Sequence, residues 1–157
     1  HFIGMSEVVY RLLRITSPDS LFMGQKDFQQ FSIIRKLITD FQMPIQLVMC
    51  PTVREANGLA MSSRNVRLSP EARDKAGVIF NILTSGKMLF EQKTPAKYVQ
   101  DIALDALRKV NFDPEYFEVV NGYTLEPVEH MEDAEQIVAC CAVKVEGVRL
   151  IDNMIWK

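Results

Sequence analysis

Histidine and cysteine are scarce in this chain, and no long apolar run is present. The two histidines, His1 and His130, stand far apart in sequence. No Cys/His spacing resembles a zinc site, and no metal ligand set is expected from the protein alone. Three cysteines, Cys50, Cys140 and Cys141, cannot form an even disulfide framework. All three sit in apolar, strand-like runs, so buried free thiols in a reducing compartment, the cytoplasm, are expected. No apolar stretch approaches the roughly 20 residues of a membrane helix, and no signal peptide is visible, so no membrane partner is expected. An excess of positive charge is also lacking: 18 Lys and Arg face 20 Asp and Glu, for a formal net charge of -2. Sequence-independent nucleic-acid binding runs on clustered basic residues, so nucleic acid is not an expected partner.

What is present is an ordinary globular composition, 48% hydrophobic and 24% charged over 157 residues. A chain of that size buries roughly 68–70% of its unfolded surface. The first residue, His1, already stands inside an apolar segment, HFIGMSEVVYRLL, so the chain is expected to be part of something longer.

Periodicity divides the chain in two. Met5 to Ile15 reads as a helix with Met5, Val8, Val9, Leu12 and Leu13 on one face. Leu21 to Met23 reads as a short buried strand ending at Gly24. A helix from about Asp27 to Phe41 follows, with Phe31, Ile34, Leu37, Ile38 and Phe41 as its apolar stripe. Ile45 to Cys50 suits a buried parallel strand. This α-β-α-β order is the late half of an α/β layer fold. Pro51 to Leu68 is a long aperiodic connection, and connections of that length are usually functional or disordered. Ser69-Pro70-Glu71 starts a helix to about Phe90, and Thr94-Pro95 starts another to about Val110. Tyr116 to Val120, Gln136 to Val145 and Val148 to Trp156 read as strands, the last two joined by a turn at Glu146-Gly147. The expected architecture is therefore a partial Rossmann-like parallel sheet in residues 1–68, then a small α+β domain in residues 69–157. The latter holds two helices and a three-stranded antiparallel sheet.

Two segments carry chemistry. GQKDFQQ, Gly24 to Gln30, lies where a strand ends and a helix begins, the edge at which open α/β sheets bind ligands. Helix N-terminal amides favour anions, Gly24 leaves its backbone approachable, and Lys26 adds a positive charge. Gln30 falls on the inward stripe, where an amide needs a partner. In NGLAMSSRN, Asn57 to Asn65, Ser62 and Ser63 offer hydroxyls and Arg64 a rigid fork of N–H donors. That inventory suits a polyphosphate. PTVRE, Pro51 to Glu55, leaves a buried strand at its carboxyl end, so both segments can converge on one crevice. The same residues also fit a polar interdomain linker. Elsewhere, His130 reads as a solvated loop residue and Glu132, Asp133 and Glu135 as a solvated acidic patch. Asp152 and Asn153 read as hydrogen-bonders across the domain division.

GQKDFQQ, PTVRE, GLAMSSRN, RLIDN and the opening HFIGM, in that order, resemble the pantothenate synthetase (pantoate–β-alanine ligase) family over nearly the whole chain. MSSR is similar to the KMSKS-type phosphate loop of class I aminoacyl-tRNA synthetases. The resemblance implies an ATP-dependent ligase that forms a pantoyl-adenylate, releases pyrophosphate, and transfers the acyl group to β-alanine with release of AMP. It implies ATP binding by Gly24, Gln25, Lys26, Asp27, Val53, Met61, Ser62, Ser63 and Arg64. Lys26, Ser62, Ser63 and Arg64 would bear on catalysis, Gln30 would hold pantoate, Mg²⁺ would arrive with the nucleotide, and the enzyme would be a homodimer. Met23 and Asn57 depart from the family's usual Phe and Asp. The family's two-histidine N-terminal motif is missing, so the chain is expected to be a C-terminal fragment with little activity alone. The residues leave open two other readings, a different adenylyltransferase of the same superfamily and a non-catalytic lid or dimerisation module.

Overall fold

The computed structural model describes residues 2–157, which form two compact units, one running to Pro51 and the other from Thr52 to Lys157. The α/β-then-α+β order expected from periodicity is the order observed.

In the first unit, α1 (Phe2–Thr16) leads into β1 (Ser20–Gly24), a single 3-10 turn (Gln25–Asp27), α2 (Phe28–Asp40) and β2 (Gln46–Cys50). The strands pair in parallel, with Ser20 opposite Gln46 and Gly24 opposite Cys50, so both carboxyl ends reach one edge. Leu13, Ile34, Leu37 and Ile38 form the buried centre, with Met5, Val9, Leu21 and Leu47 packed around it. Val8, Leu12 and Phe41 depart from the expected stripes and are exposed. Leu13 and Val9 already fill the α1 side that meets α2, which turns Val8 and Leu12 outward. Phe41 lies past the last turn of α2, where its ring rests on Tyr10 at 4.7 Å.

In the second unit, α3 (Pro70–Lys75), α4 (Val78–Glu91) and α5 (Ala96–Lys109) precede β3 (Asp113–Asn121), β4 (Ile137–Val145) and β5 (Val148–Ile155). The sheet is antiparallel in the order β3-β4-β5. Pro114, which has no N–H to donate, is tolerated because β3 is an edge strand, and the register shifts beside it. The Phe90, Phe117 and Trp156 rings meet in the core, with centroids 5.4 and 6.3 Å from Trp156. Buried Ile79, Leu83, Val99 and Leu107 complete the packing of helices against sheet.

Ser69 caps α3 as its sequence suggests, its hydroxyl accepting from the Ala72 amide at 3.1 Å. The expected helix from Ser69 to Phe90 is nevertheless broken in two. Around Ala76 and Gly77 the bonds tighten to one turn of three residues, with Ile79 N donating to Ala76 O and Phe80 N to Gly77 O. The break falls where the Asn57 loop packs closely, and only glycine fits there: a Cβ at Gly77 would lie 2.2 Å from the Asn57 carbonyl oxygen. The device at Thr94-Pro95 also differs from expectation. Pro95 itself is the N-cap, no side chain caps the helix, and the Ala96 amide donates instead to Glu129 O at 2.9 Å.

Candidate functional site

The first group of candidate residues sits at the carboxyl edge of the parallel sheet. Gly24 closes β1 with extended backbone angles, and nothing lies within 4 Å of where its Cβ would stand. Its value is therefore open space, not unusual torsion. Gln25, Lys26 and Asp27 form the 3-10 turn, with Gln25 and Lys26 half-buried and Asp27 exposed. Gln30 follows in the first turn of α2 and is half-buried, between the exposed Gln29 and the buried Phe31. The strand-to-helix junction thus brings together Gly24, Gln25, Lys26, Asp27 and Gln30.

The second group belongs to a structure that periodicity could not show. The aperiodic connection contains a small hairpin spanning residues 53–61. Met61 N donates to Val53 O at 2.9 Å, and Glu55 N donates to Leu59 O at 2.8 Å. Arg54 and Ala60 pair between them as an antiparallel bridge. The turn is closed by Gly58 N donating to Glu55 O. Gly58 has φ +92°, a value L side chains rarely adopt, with the Phe80 ring beneath it. Leaving the hairpin, Ser62 accepts from Arg64 N at 3.2 Å and starts a 3-10 helix, Ser63–Arg67. Val53, Met61, Ser63 and Arg64 are exposed and Ser62 is half-buried.

Polar side chains brace this hairpin on several sides. Arg54 grips Asp152 of β5 with both prongs, Nη1 to Oδ2 at 2.6 Å and Nη2 to Oδ1 at 3.0 Å. Its Nη1 also donates to Gly58 O at 3.0 Å, and its guanidinium lies 4.1 Å from the Phe80 ring centroid. Glu55 accepts from Arg73 Nε at 2.8 Å and from Asn65 Nδ2 at 2.7 Å. Those two donors, the guanidinium first, hold the Glu55 carboxyl below its ordinary pKa. Asn65 is buried and also donates to Ala60 O at 3.1 Å. Asn57 Nδ2 donates to Arg73 O and Asp74 O, each at 2.9 Å, capping the end of α3. An aspartate at this position could make neither bond.

The ten candidate residues therefore fall into two clusters, one in each compact unit. Asp152, expected to bond across the domain division, bonds Arg54 instead within one compact unit, Thr52–Lys157. Arg54, Glu55 and Asn65 brace the hairpin although nothing local in sequence marks them for it. The available signal was an arginine following one apolar strand and an aspartate inside another, RLIDN, opposite charges with no local partner. Among the described residues no group of three His, Cys, Asp or Glu could hold a metal ion, and no helix is long and apolar enough to cross a membrane.

The family model described as Pantoate-beta-alanine ligase matches residues 1–155. The pantothenate synthetase of Azobacteroides pseudotrichonymphae genomovar. CFP2 is 39% identical over 160 residues, covering 99% of this chain and 56% of that protein. That of Acetivibrio thermocellus is 40% identical, covering 99% and 55%. Among solved structures, pantothenate synthetase from Thermus thermophilus superposes with a TM-score of 0.87 at 36% identity, covering 96% of this chain and 54% of that one. Pantoate-beta-alanine ligase from Francisella tularensis, complexed with beta-gamma ATP and beta-alanine, gives 0.73 at 29% identity, covering 99% and 51%. The chain spans about half the length of the curated relatives it matches.

Proposed function

The chain belongs to the pantoate–β-alanine ligase family, and from that premise we propose that it is the phosphate-gripping part of an ATP-dependent ligase joining pantoate to β-alanine. Residues 1–68 would supply nucleotide contacts, and residues 69–157 would form a lid domain. In the first half-reaction the pantoate carboxylate attacks the α-phosphoryl group. The bond between α-phosphorus and the bridging oxygen breaks, and pyrophosphate leaves. In the second, the β-alanine amine attacks the acyl carbon, loses a proton, and AMP departs.

One observation carries the reading. In a segment where Arg54, Glu55, Asn57 and Asn65 are all committed to internal bonds, Ser63 and Arg64 are presented to solvent beside an apolar pair, Val53 and Met61. A braced mount with exposed donors is what a preorganised oxyanion site requires. Ser62, Ser63 and Arg64 would grip the β- and γ-phosphates, and Lys26, with the Gly24–Asp27 segment, would meet the charge developing on the departing pyrophosphate. Gln30 would hold pantoate. With no cluster of three His, Cys, Asp or Glu to cage a metal among the described residues, Mg²⁺ would arrive with the nucleotide and be held chiefly through phosphate oxygens, where it would neutralise their charge. An acyl-adenylate hydrolyses readily, so the Met61–Arg64 segment would also exclude water. A homodimer in the cytoplasm, acting on small molecules and on neither nucleic acid nor membrane, belongs to the same proposal.

The test is AMP release from pantoate, β-alanine and Mg-ATP, measured for the 157-residue chain and for a full-length ligase containing it. Turnover by the longer protein and none by the isolated chain is expected. Arg64→Ala in the longer protein should lower kcat/KM by about 10²–10³. Robust turnover by the chain alone would overturn the division of labour. A longer protein unable to release AMP would overturn the ligase assignment.

A further inference from the structure

The Arg54–Asp152 pair presents an energetic puzzle. Arg54 is 18% exposed and Asp152 3%, so the carboxylate has left water and the guanidinium has largely done so. A buried ion pair of this kind is often no more stabilising than apolar residues of the same volume. Fold stability alone therefore does not account for it. What apolar residues could not supply is direction. A planar guanidinium binding a carboxylate with two prongs fixes orientation as well as distance.

That direction is applied at an informative place. Arg54 pairs through its backbone with Ala60. The next pair outward, Val53 and Met61, carries the hydrogen bond from which Ser62, Ser63 and Arg64 project. Asp152 lies on β5 opposite Cys141 of β4, and its Oδ1 is further fixed by the Asn153 amide at 2.8 Å. The guanidinium is thus held by a sheet carboxylate, the hairpin's own Gly58 carbonyl and the Phe80 ring. It ties the hairpin to β5 and α4 at once.

We propose that Arg54 and Asp152 are positioning residues for nucleotide binding. Their ion pair sets the height and tilt of the 53–61 hairpin, and through the Val53–Met61 bond it sets where Ser62, Ser63 and Arg64 meet the phosphates. Neither residue touches the reacting atoms. This rests on the ligase reading and adds to it a distance dependence: the phosphate grip is built by a residue of the C-terminal sheet.

The experiment compares Arg54→Met/Asp152→Asn with the parent in the full-length ligase. The double change removes both charges and leaves neither orphaned. The expected result is a protein that melts near the parent temperature, with KM for ATP raised about tenfold or more, since misplacements of about 1 Å carry such costs. KM for β-alanine should stay unchanged, and hydrogen exchange at the Met61 amide should speed up. Arg54→Lys keeps the charge but loses the second prong, so it should fall between the two. If the double variant does not fold, Arg54→Lys decides alone. A folded variant with parental KM for ATP and parental exchange at Met61 overturns the positioning role. A parent protein that binds no ATP overturns the ligase reading and this inference together.

Discussion

Replacing Gly77 with alanine sets two effects of opposite sign against each other. Gly77 has helical backbone angles, φ -57° and ψ -21°, which alanine adopts without strain. Reduced unfolded-state entropy alone would stabilise the protein by about 0.4–1 kcal/mol. Space opposes this. The new Cβ would lie 2.2 Å from Asn57 O, 3.0 Å from its carbonyl carbon and 3.1 Å from its Cβ. None of these atoms is the loose end of a side chain. Asn57 is pinned by its bonds to Arg73 O and Asp74 O, and the turn is closed by Gly58 N on Glu55 O. Ordinary contact requires the turn to retreat by about 1 Å or more. Overpacking of that kind costs about 1–3 kcal/mol, so destabilisation wins by about 1–2 kcal/mol. The melting temperature should fall by about 3–10 °C. Circular dichroism gives the melt, and a urea titration followed through Trp156, the single tryptophan, reports the second unit. Gly4→Ala is the control: it lies inside α1 with nothing within 4 Å, so there the same substitution should stabilise by about 0.5–1 kcal/mol. A Gly77→Ala protein that melts at or above the parent temperature refutes the argument.

Asn57→Asp removes both donors from the end of α3 and sets a carboxylate against two carbonyl oxygens. It should cost about 1–3 kcal/mol, and an unchanged urea midpoint would contradict this. Burial pushes the Cys140 thiol up to about 12 and Cys141 higher still, so a disulfide reagent near neutral pH should label Cys50 alone until denaturant is added. Rapid labelling of all three in the folded chain would count against the packing. Hydrogen bonds from Ser69 hold the Glu146 carboxyl below its ordinary value of 4.5, and backbone amides of His130 and Glu129 likewise hold Asp133 low. These groups stabilise the fold fully above their unfolded pKa values, and that contribution disappears as pH falls through the lower folded values. Glu146→Gln should therefore flatten the acid limb of the stability curve while leaving its shape above about pH 6 alone. Parallel curves for parent and variant would show the reverse.

Periodicity made the elements legible wherever burial is one-sided. The α2 stripe of Phe31, Ile34, Leu37 and Ile38 is buried as expected, and the Glu146-Gly147 turn joins β4 to β5 as its dipeptide suggests. The failures come from tertiary contacts that leave no local trace. Nothing near Gly77 in sequence announces the Asn57 carbonyl packed against it where the helix breaks. Nothing in PTVREANGLAM has a strand period long enough to mark a hairpin whose strands hold only three residues each. The residues around that hairpin were recognisable by type, as hydroxyls and a guanidinium. Their mount was not, because its bonds run to Arg73, Phe80 and Asp152, far along the chain.

That separation has a consequence for synthesis. Asp152 lies 98 residues after Arg54, and translation at about 5–20 residues per second needs about 5–20 s to cover such a span. During that interval the guanidinium has no carboxylate to clasp, so the 53–61 hairpin lacks one of its braces. In a nascent chain the segment from Ser62 to Arg64 therefore leaves a looser mount until β5 has been made. Chains halted just short of Asp152 should be cut by protease between Val53 and Arg64, while completed ones should resist.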